Sequence, residues 1–185
     1  IMILFSSCKK ELGCMDSIAL NYNPNAQQDD GSCILPVLGC TDEVAFNYNN
    51  LANTDDGTCI YAYDIAQGTW NIDPDCDDIT IPIIGTISLN DQLPETIDVL
   101  GDGDNSLYID ISGTQVYGVI DYLGNITIPE QTVSIDFGLG VPTDVQVSGD
   151  GLVDDEISGS VNLIYIFEVP LLGTQTITCS ISLSR

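Results

Sequence analysis

Residues 161–183 read VNLIYIFEVPLLGTQTITCSISL. Val161, Leu163, Tyr165 and Phe167 stand at every second position, and after Pro170 and Gly173 so do Ile177, Cys179, Ile181 and Leu183. A period of two places each set on one face of a strand, so the stretch predicts two neighbouring strands sharing an apolar face. Working outward, the same alternation recurs in Leu107-Ile109-Ile111 and in Val133-Ile135-Phe137. Strands are expected near 67–74, 79–90, 106–112, 115–122, 125–129, 131–137, 143–149, 152–157, 158–168 and 173–184. Turn signals at Ser112-Gly113, Leu123-Gly124-Asn125 and Gly149-Asp150-Gly151 join neighbours closely and predict an antiparallel meander. The segment 66–185 is long enough to close into a barrel or sandwich, and closure removes exposed edges.

Gly68-Thr69-Trp70 resembles the G-x-W opening of the lipocalin and calycin group, in which the Trp packs across the closed end of the barrel. The whole stretch resembles lipocalin-like domains of Bacteroidota lipoproteins. The resemblance rests also on Ile126-Thr127-Ile128-Pro129-Glu130-Gln131 and on Thr176-Ile177-Thr178-Cys179. It implies a mainly β fold, an antiparallel meander closing into a small lipocalin-like barrel. Such a barrel either holds a small apolar ligand or is filled by its own side chains, and at this size a filled core is expected, with Trp70 as a plug. The basic residue familiar near the last lipocalin strand has no counterpart in this reading, Arg185 being the only late cation.

Upstream, two segments align without gaps: GCMDSIALNYNPNAQQDDGSCI from Gly13 and GCTDEVAFNYNNLANTDDGTCI from Gly39. They resemble the GCTD…NYNP.A..DDGSC repeats of surface and secreted proteins of Bacteroidota-type bacteria, which implies export and a surface role. They are read as small units at 13–35 and 39–61. Asp16 and Asp42 suit the N-cap of a short helical turn, and Ala19, Tyr22 and Ala26 then share a face, as do Ala45, Tyr48 and Ala52. Asn23 and Asn49 suit a left-handed residue ending that turn. In Asp-Asp-Gly, Gly31 and Gly57 are expected at positive φ. So short a unit cannot bury a useful core alone and needs a staple. Cys14 with Cys33, and Cys40 with Cys59, would close the two units, each bridge contributing about 3 kcal/mol in the chain-entropy picture.

The chain has seven cysteines, an odd number. Beyond the cassette pairs, Cys76 and Cys179 flank the β-region, and a bridge between them would clip its first strand to its last. Cys8 remains. Ile1 to Phe5 is apolar and runs into Ser6-Ser7-Cys8-Lys9-Lys10, which resembles the tail of a bacterial lipoprotein signal, with Phe5 where Leu, Val or Ile is usual. The basic start of such a signal is absent, so the chain reads as truncated there. The resemblance implies that residues 1–7 are removed, that Cys8 carries a lipid anchor, and that 1–12 is a signal remnant and tether. The expected location is the outer membrane or cell surface, with the membrane as partner through Cys8.

Acidic residues number 28 against three Lys and Arg, with no His, for a formal net charge of −25. Such a surface repels phosphate and excludes nucleic-acid binding. Its self-repulsion fits a saline or calcium-rich exterior. Without His there is no Ser-His or Cys-His nucleophile pair and no His-based zinc site. Calcium is the one cofactor with candidate ligands: Asp16, Asn21, Asp29 and Asp30 in the first cassette, and Asp42, Asn47, Asp55 and Asp56 in the second. Caps and turns explain the same residues, and the spacing is not that of an EF-hand. Asp73, Asp75, Asp77 and Asp78 around Cys76 read as a solvated loop. The expected function is that of a non-enzymatic exported surface lipoprotein, its cassettes rigid spacers and its β-domain a ligand-binding, adhesion or structural module. The partner would be a protein, a glycan or a small apolar ligand. A lipocalin-type carrier of a small apolar ligand is the alternative, and a carboxylate-based extracellular hydrolase a third reading.

Overall fold

The computed structural model describes residues 9–81, 85–91, 93–111, 114–135, 142–169 and 172–185. The chain divides into two compact units, one built on the cassettes and one running from Ile60 to the C-terminus, which also takes in Val44–Phe46.

In the first cassette β1 (Leu12–Gly13) pairs in parallel with β2 (Gln28–Asp29), and in the second β3 (Leu38–Gly39) pairs likewise with β4 (Thr54–Asp55). The disulfides Cys14–Cys33 and Cys40–Cys59 staple them, with Cα separations of 4.8 and 4.9 Å, within the ordinary range for a bridge. Cys14 and Cys40 are buried, as are Ala19 and Ala45. Tyr22 and Tyr48 are exposed, so the expected Ala-Tyr-Ala face is not a buried one. The segment after Asp16 is a hydrogen-bonded turn: the Ala19 N–H donates to the Asp16 carbonyl and the Ile18 N–H to its carboxylate. Asn23 and Asn49 are not left-handed. Their side-chain oxygens accept the N–H of the residue two further on, Asn25 and Leu51, the local bond that lets Asn shape a turn without positive φ. Gly31 and Gly57 do take positive φ, 73° in both copies.

In the second unit α1 (Ala62–Ala66) precedes β5 (Gly68–Cys76), a short hairpin of β6 (Ile79–Ile81) and β7 (Gly85–Ile87), then β8 (Thr96–Gly103), β9 (Ser106–Ile111), β10 (Thr114–Ile120), β11 (Asn125–Ile135), β12 (Thr143–Val153), β13 (Ser158–Val169) and β14 (Gly173–Ser184). β5 and β8 to β14 form a closed eight-stranded antiparallel barrel in which every neighbour in sequence is a neighbour in space and β14 returns to β5. Inward positions alternate as expected: Leu163, Tyr165 and Phe167 on β13, and Ile177, Cys179, Ile181 and Leu183 on β14, are buried. Cys76 and Cys179 face each other across the β5–β14 seam and are bonded.

Several expectations are corrected. Strand 79–90 is only the β6–β7 hairpin, and Thr96–Gly103 is a strand that Gly and Asp content concealed. Segments 125–129 and 131–135 belong to one strand, β11, with a bulge between Ile128 and Gln131, and residues 136–137 lie outside the described residues. Gly149-Asp150-Gly151 lies inside β12 rather than in a turn. A Cβ on Gly149 would collide with the Asn162 carbonyl, and one on Gly151 would lie 2.7 Å from that of Ser160. These glycines allow close strand approach, the other use of Gly within a sheet. The turn that does need unusual backbone is Asp104-Asn105, both left-handed at φ 48° and 61°, as a two-residue hairpin with right-handed strands requires. Ser112-Gly113 and Phe137 lie outside the described residues. α1 adds Ala62, Ile65 and Ala66 to the barrel's buried cluster, which therefore begins before residue 66.

The Cys76–Cys179 bridge spans 103 residues. Replacing both cysteines by Ser is expected to lower stability to urea by about 4–5 kcal/mol by the loop-entropy relation, read as a fall in the denaturation midpoint, and non-reducing peptide mapping of the parent should return the three pairs named.

Candidate functional site

One end of the barrel is plugged. Trp70, 1% exposed, enters from β5, and its indole N–H donates to the Ala66 carbonyl at 2.8 Å. The Arg185 guanidinium lies over the indole ring, 3.9 Å from its centroid, and donates to the Gln67 carbonyl. A cation over an indole face is attracted by the ring quadrupole. Arg185 thus stands at the end of β14 in contact with Trp70. Sequence spacing could not show this, because the two residues lie 115 positions apart (185 − 70) and meet only when β14 pairs with β5.

Three Asp residues hold turns and strand ends of the barrel. Asp121 accepts from the N–H groups of Leu123 and Asn125 and from the Asn125 amide. Asp155 accepts from Ile157 and from the N–H and hydroxyl of Ser158. Asp77 accepts from the hydroxyl and N–H of Thr178, so one member of the expected solvated acidic run has a structural job. The carboxyl pKa values of these groups lie below the usual value of 3.8, held there chiefly by the Asn125 amide, the Ile157 N–H and the Thr178 hydroxyl respectively.

Inside the barrel is a cavity of about 270 Å³. Its floor includes Ala66 and Trp70. One wall is Ile97, Val99, Val116, Ile126 and Ile128 from β8, β10 and β11. The opposite wall includes Val147, Leu163, Tyr165 and Ile181. The second set is buried, whereas the first is only partly so although the same alternation turns it inward. The medium-sized side chains on that half do not reach across the barrel, and the expected filled core is not what forms. Among the described residues the lining carries no charge, and its polar side chains are Thr114, Ser134 and the tyrosines 108, 117 and 165.

The wall between β10 and β11 has only two backbone pairings, Val119 with Thr127 and Ile120 with Ile126. Pro129 follows, which has no N–H to offer a ladder, and the Gln131 side chain takes over: it accepts from the Tyr117 N–H at 2.9 Å and donates to the Tyr117 carbonyl at 2.8 Å. This is a physical reading of Ile126-Thr127-Ile128-Pro129-Glu130-Gln131, with the glutamine amide standing in for a missing peptide. Leu89 and Leu93, between β7 and β8, also line the cavity. Sequence reading missed both, since nothing in their spacing marked them. Asn90 between them anchors this segment by accepting the Cys76 N–H at 2.9 Å.

The calcium candidates are not brought together. Among the described residues no three acidic or sulfur side chains converge as a metal site. Each of these carboxylates has a local hydrogen-bonding role. Asp16 accepts from Ile18, Asp29 from Gly31, Asp30 from Ser32, Asp55 from Gly57 and Asp56 from Thr58. Asn21 clamps the cassette's closing segment, donating to the Ser32 carbonyl at 2.6 Å and accepting the Ile34 N–H at 2.8 Å, and Asn47 donates to the Thr58 carbonyl at 2.6 Å. Asp42 occupies the place of Asp16 in the second copy. Cys8 lies outside the described residues.

No protein-family model, curated protein or solved structure matches the chain.

Stability should respond to acid through the three barrel carboxylates. Their folded pKa values are depressed, so their contribution is fully present above the unfolded value near 3.8 and is lost as pH falls through the folded values. The melting temperature is therefore expected to fall below about pH 4, and D121N and D155N should each reduce that fall. An unchanged acid slope in both variants would contradict the assignment.

Proposed function

We infer that this is an exported, lipid-anchored surface protein whose barrel binds a small apolar ligand, with the cassettes as disulfide-stapled spacers between anchor and barrel. The observation that carries the binding reading is the uncharged apolar cavity above the Trp70–Arg185 plug. An apolar cavity of about 150 Å³ accommodates benzene, so one of about 270 Å³ suits a molecule of about ten to twelve non-hydrogen atoms. The hydrolase reading lacks support, because no carboxylate lines that cavity among the described residues.

Support for the anchor is arithmetic. Six of the seven cysteines are paired, leaving Cys8 directly after an apolar run and two serines. Disulfides in all three places also fit an oxidising compartment.

Trp70 is the only tryptophan and forms part of the cavity, so binding has a built-in reporter. Titration with butylbenzene is expected to shift Trp70 emission and raise the melting temperature, as any ligand selective for the folded state does. V116F, which fills the cavity, should weaken both effects at least about tenfold, since removing room for several carbon atoms costs well over a kilocalorie per mole. No emission or melting response to any small hydrocarbon would end the binding reading.

For the anchor, metabolic labelling of bacteria expressing the chain behind a complete lipoprotein signal should place an acyl group on the protein, and C8S should abolish it. Persistent labelling in C8S would reject Cys8 as the acceptor.

A further inference from the structure

The cavity is apolar, but it is not without chemistry. Tyr165 stands on β13 between Val147 on one neighbouring strand and Ile177 on the other. It is inward-facing, 6% exposed, and lines the cavity. Among the described residues its hydroxyl has no hydrogen-bond partner. Nor is the oxygen a sealed polar atom, for no buried side-chain oxygen or nitrogen is left closed off and unsatisfied. Tyr165 is one of the residues that line the cavity.

A ligand that displaces water from this hydroxyl must replace the hydrogen bond or leave it unpaired, at a cost the same ring without the oxygen would not carry. Phe would complete the alternation Val161, Leu163, residue 165, Phe167 equally well. A Tyr at this place is therefore explained by a partner that arrives from outside the chain. Of the other polar-tipped rings of the lining, Trp70 gives its N–H to the Ala66 carbonyl and Tyr117 its hydroxyl to Gln115.

The charge of the partner is constrained by what surrounds it. The lining contains neither Lys nor Arg and neither Asp nor Glu among the described residues. Arg185, the one cation of the barrel region, is committed to the Trp70 ring and the Gln67 carbonyl. An ionised carboxylate or ammonium carried into this cavity would be desolvated with no opposite charge to meet it. The field of a chain with net charge −25 further repels an anion on approach.

The geometry points to a neutral ligand with an apolar body and one hydrogen-bond acceptor, a carbonyl or an alcohol oxygen, which receives the Tyr165 hydroxyl. This rests on the barrel-binding reading given above and sharpens it: ionised fatty acids are excluded, and neutral ketones, aldehydes and alcohols of about ten to twelve non-hydrogen atoms are selected. Burial pushes the Tyr165 pKa up to about 12, so the hydroxyl keeps its proton and remains a donor across the physiological range.

Three probes of one skeleton separate the possibilities: butylbenzene, with no polar group; benzylacetone, with a carbonyl; and phenylbutyrate, with a carboxylate. Each is titrated into the full chain and into Y165F, by calorimetry and Trp70 emission. Benzylacetone is expected to bind the parent, and Y165F to weaken it by about threefold to tenfold, the worth of one hydrogen bond. Butylbenzene should bind both proteins within twofold, and phenylbutyrate at neutral pH should bind at least about tenfold more weakly than benzylacetone. Without ligand, Y165F should melt no lower than the parent, because it loses an unpartnered hydroxyl and no bond. If butylbenzene binds but benzylacetone is indifferent to Y165F, Tyr165 is not the anchor, while the apolar cavity stands. Equal weakening of butylbenzene and benzylacetone in Y165F overturns the anchor too, as would a lower melting temperature. Phenylbutyrate binding as tightly as benzylacetone overturns the neutral class. If neither neutral probe binds, the cavity reading fails and this inference with it.

Discussion

The barrel depends on one seam. β5 and β14, the first and last of its strands, pair antiparallel from Asn71–Ser184 to Cys76–Cys179. An open sheet would leave two edges of unpaired N–H and C=O groups. Closure satisfies both, and the disulfide holds the two ends of a long segment at the place where closure occurs. The same seam brings the end of β14 to the start of β5, which is how Arg185 reaches Trp70. One pairing thus determines the ladder, the covalent clip and the plug.

Closure also creates the space that the other features share. With eight strands the interior is of a size that large side chains fill and medium ones do not. β13 and β14 supply the buried side chains of Phe167, Tyr165, Leu163 and Ile177. β8, β10 and β11 supply Ile97, Val99, Val116, Ile126 and Ile128, with Gly118 among them. The cavity is lined from both walls. Residues on both sides of the β10–β11 seam, where a Gln131 side chain replaces backbone pairing, are part of its lining.

Much of this was legible in the sequence. A period of two survives any detail of packing, so β13 and β14 could be read residue by residue. The cassette bridges could be read as well, because a short segment with two cysteines and no core has few other ways to hold itself. Where reading failed, a residue type with two physical uses was assigned the commoner one. Gly149 and Gly151 read as turn glycines, yet in β12 they admit the neighbouring Asn162 and Ser160 carbonyls. Thr96–Gly103 carries Asp and Gly, residues depleted in strands, yet Ile97 and Val99 alternate inward and tertiary pairing overrides propensity. The cassette carboxylates read as calcium candidates accept hydrogen bonds from N–H groups two residues further on.

By itself, then, the amino-acid sequence determined the strand character of the C-terminal segment, the repeat of the cassettes and the cysteine count that pairs within them. These are local or periodic properties, and each is set by residues close together in the chain. Tertiary structure alone decided the cavity, the Arg185–Trp70 contact and the unpartnered hydroxyl of Tyr165. Each depends on atoms brought together from strands far apart in sequence. Whether a barrel is filled is a difference between two volumes, that enclosed by eight strands and that of the side chains within, and no single segment carries either.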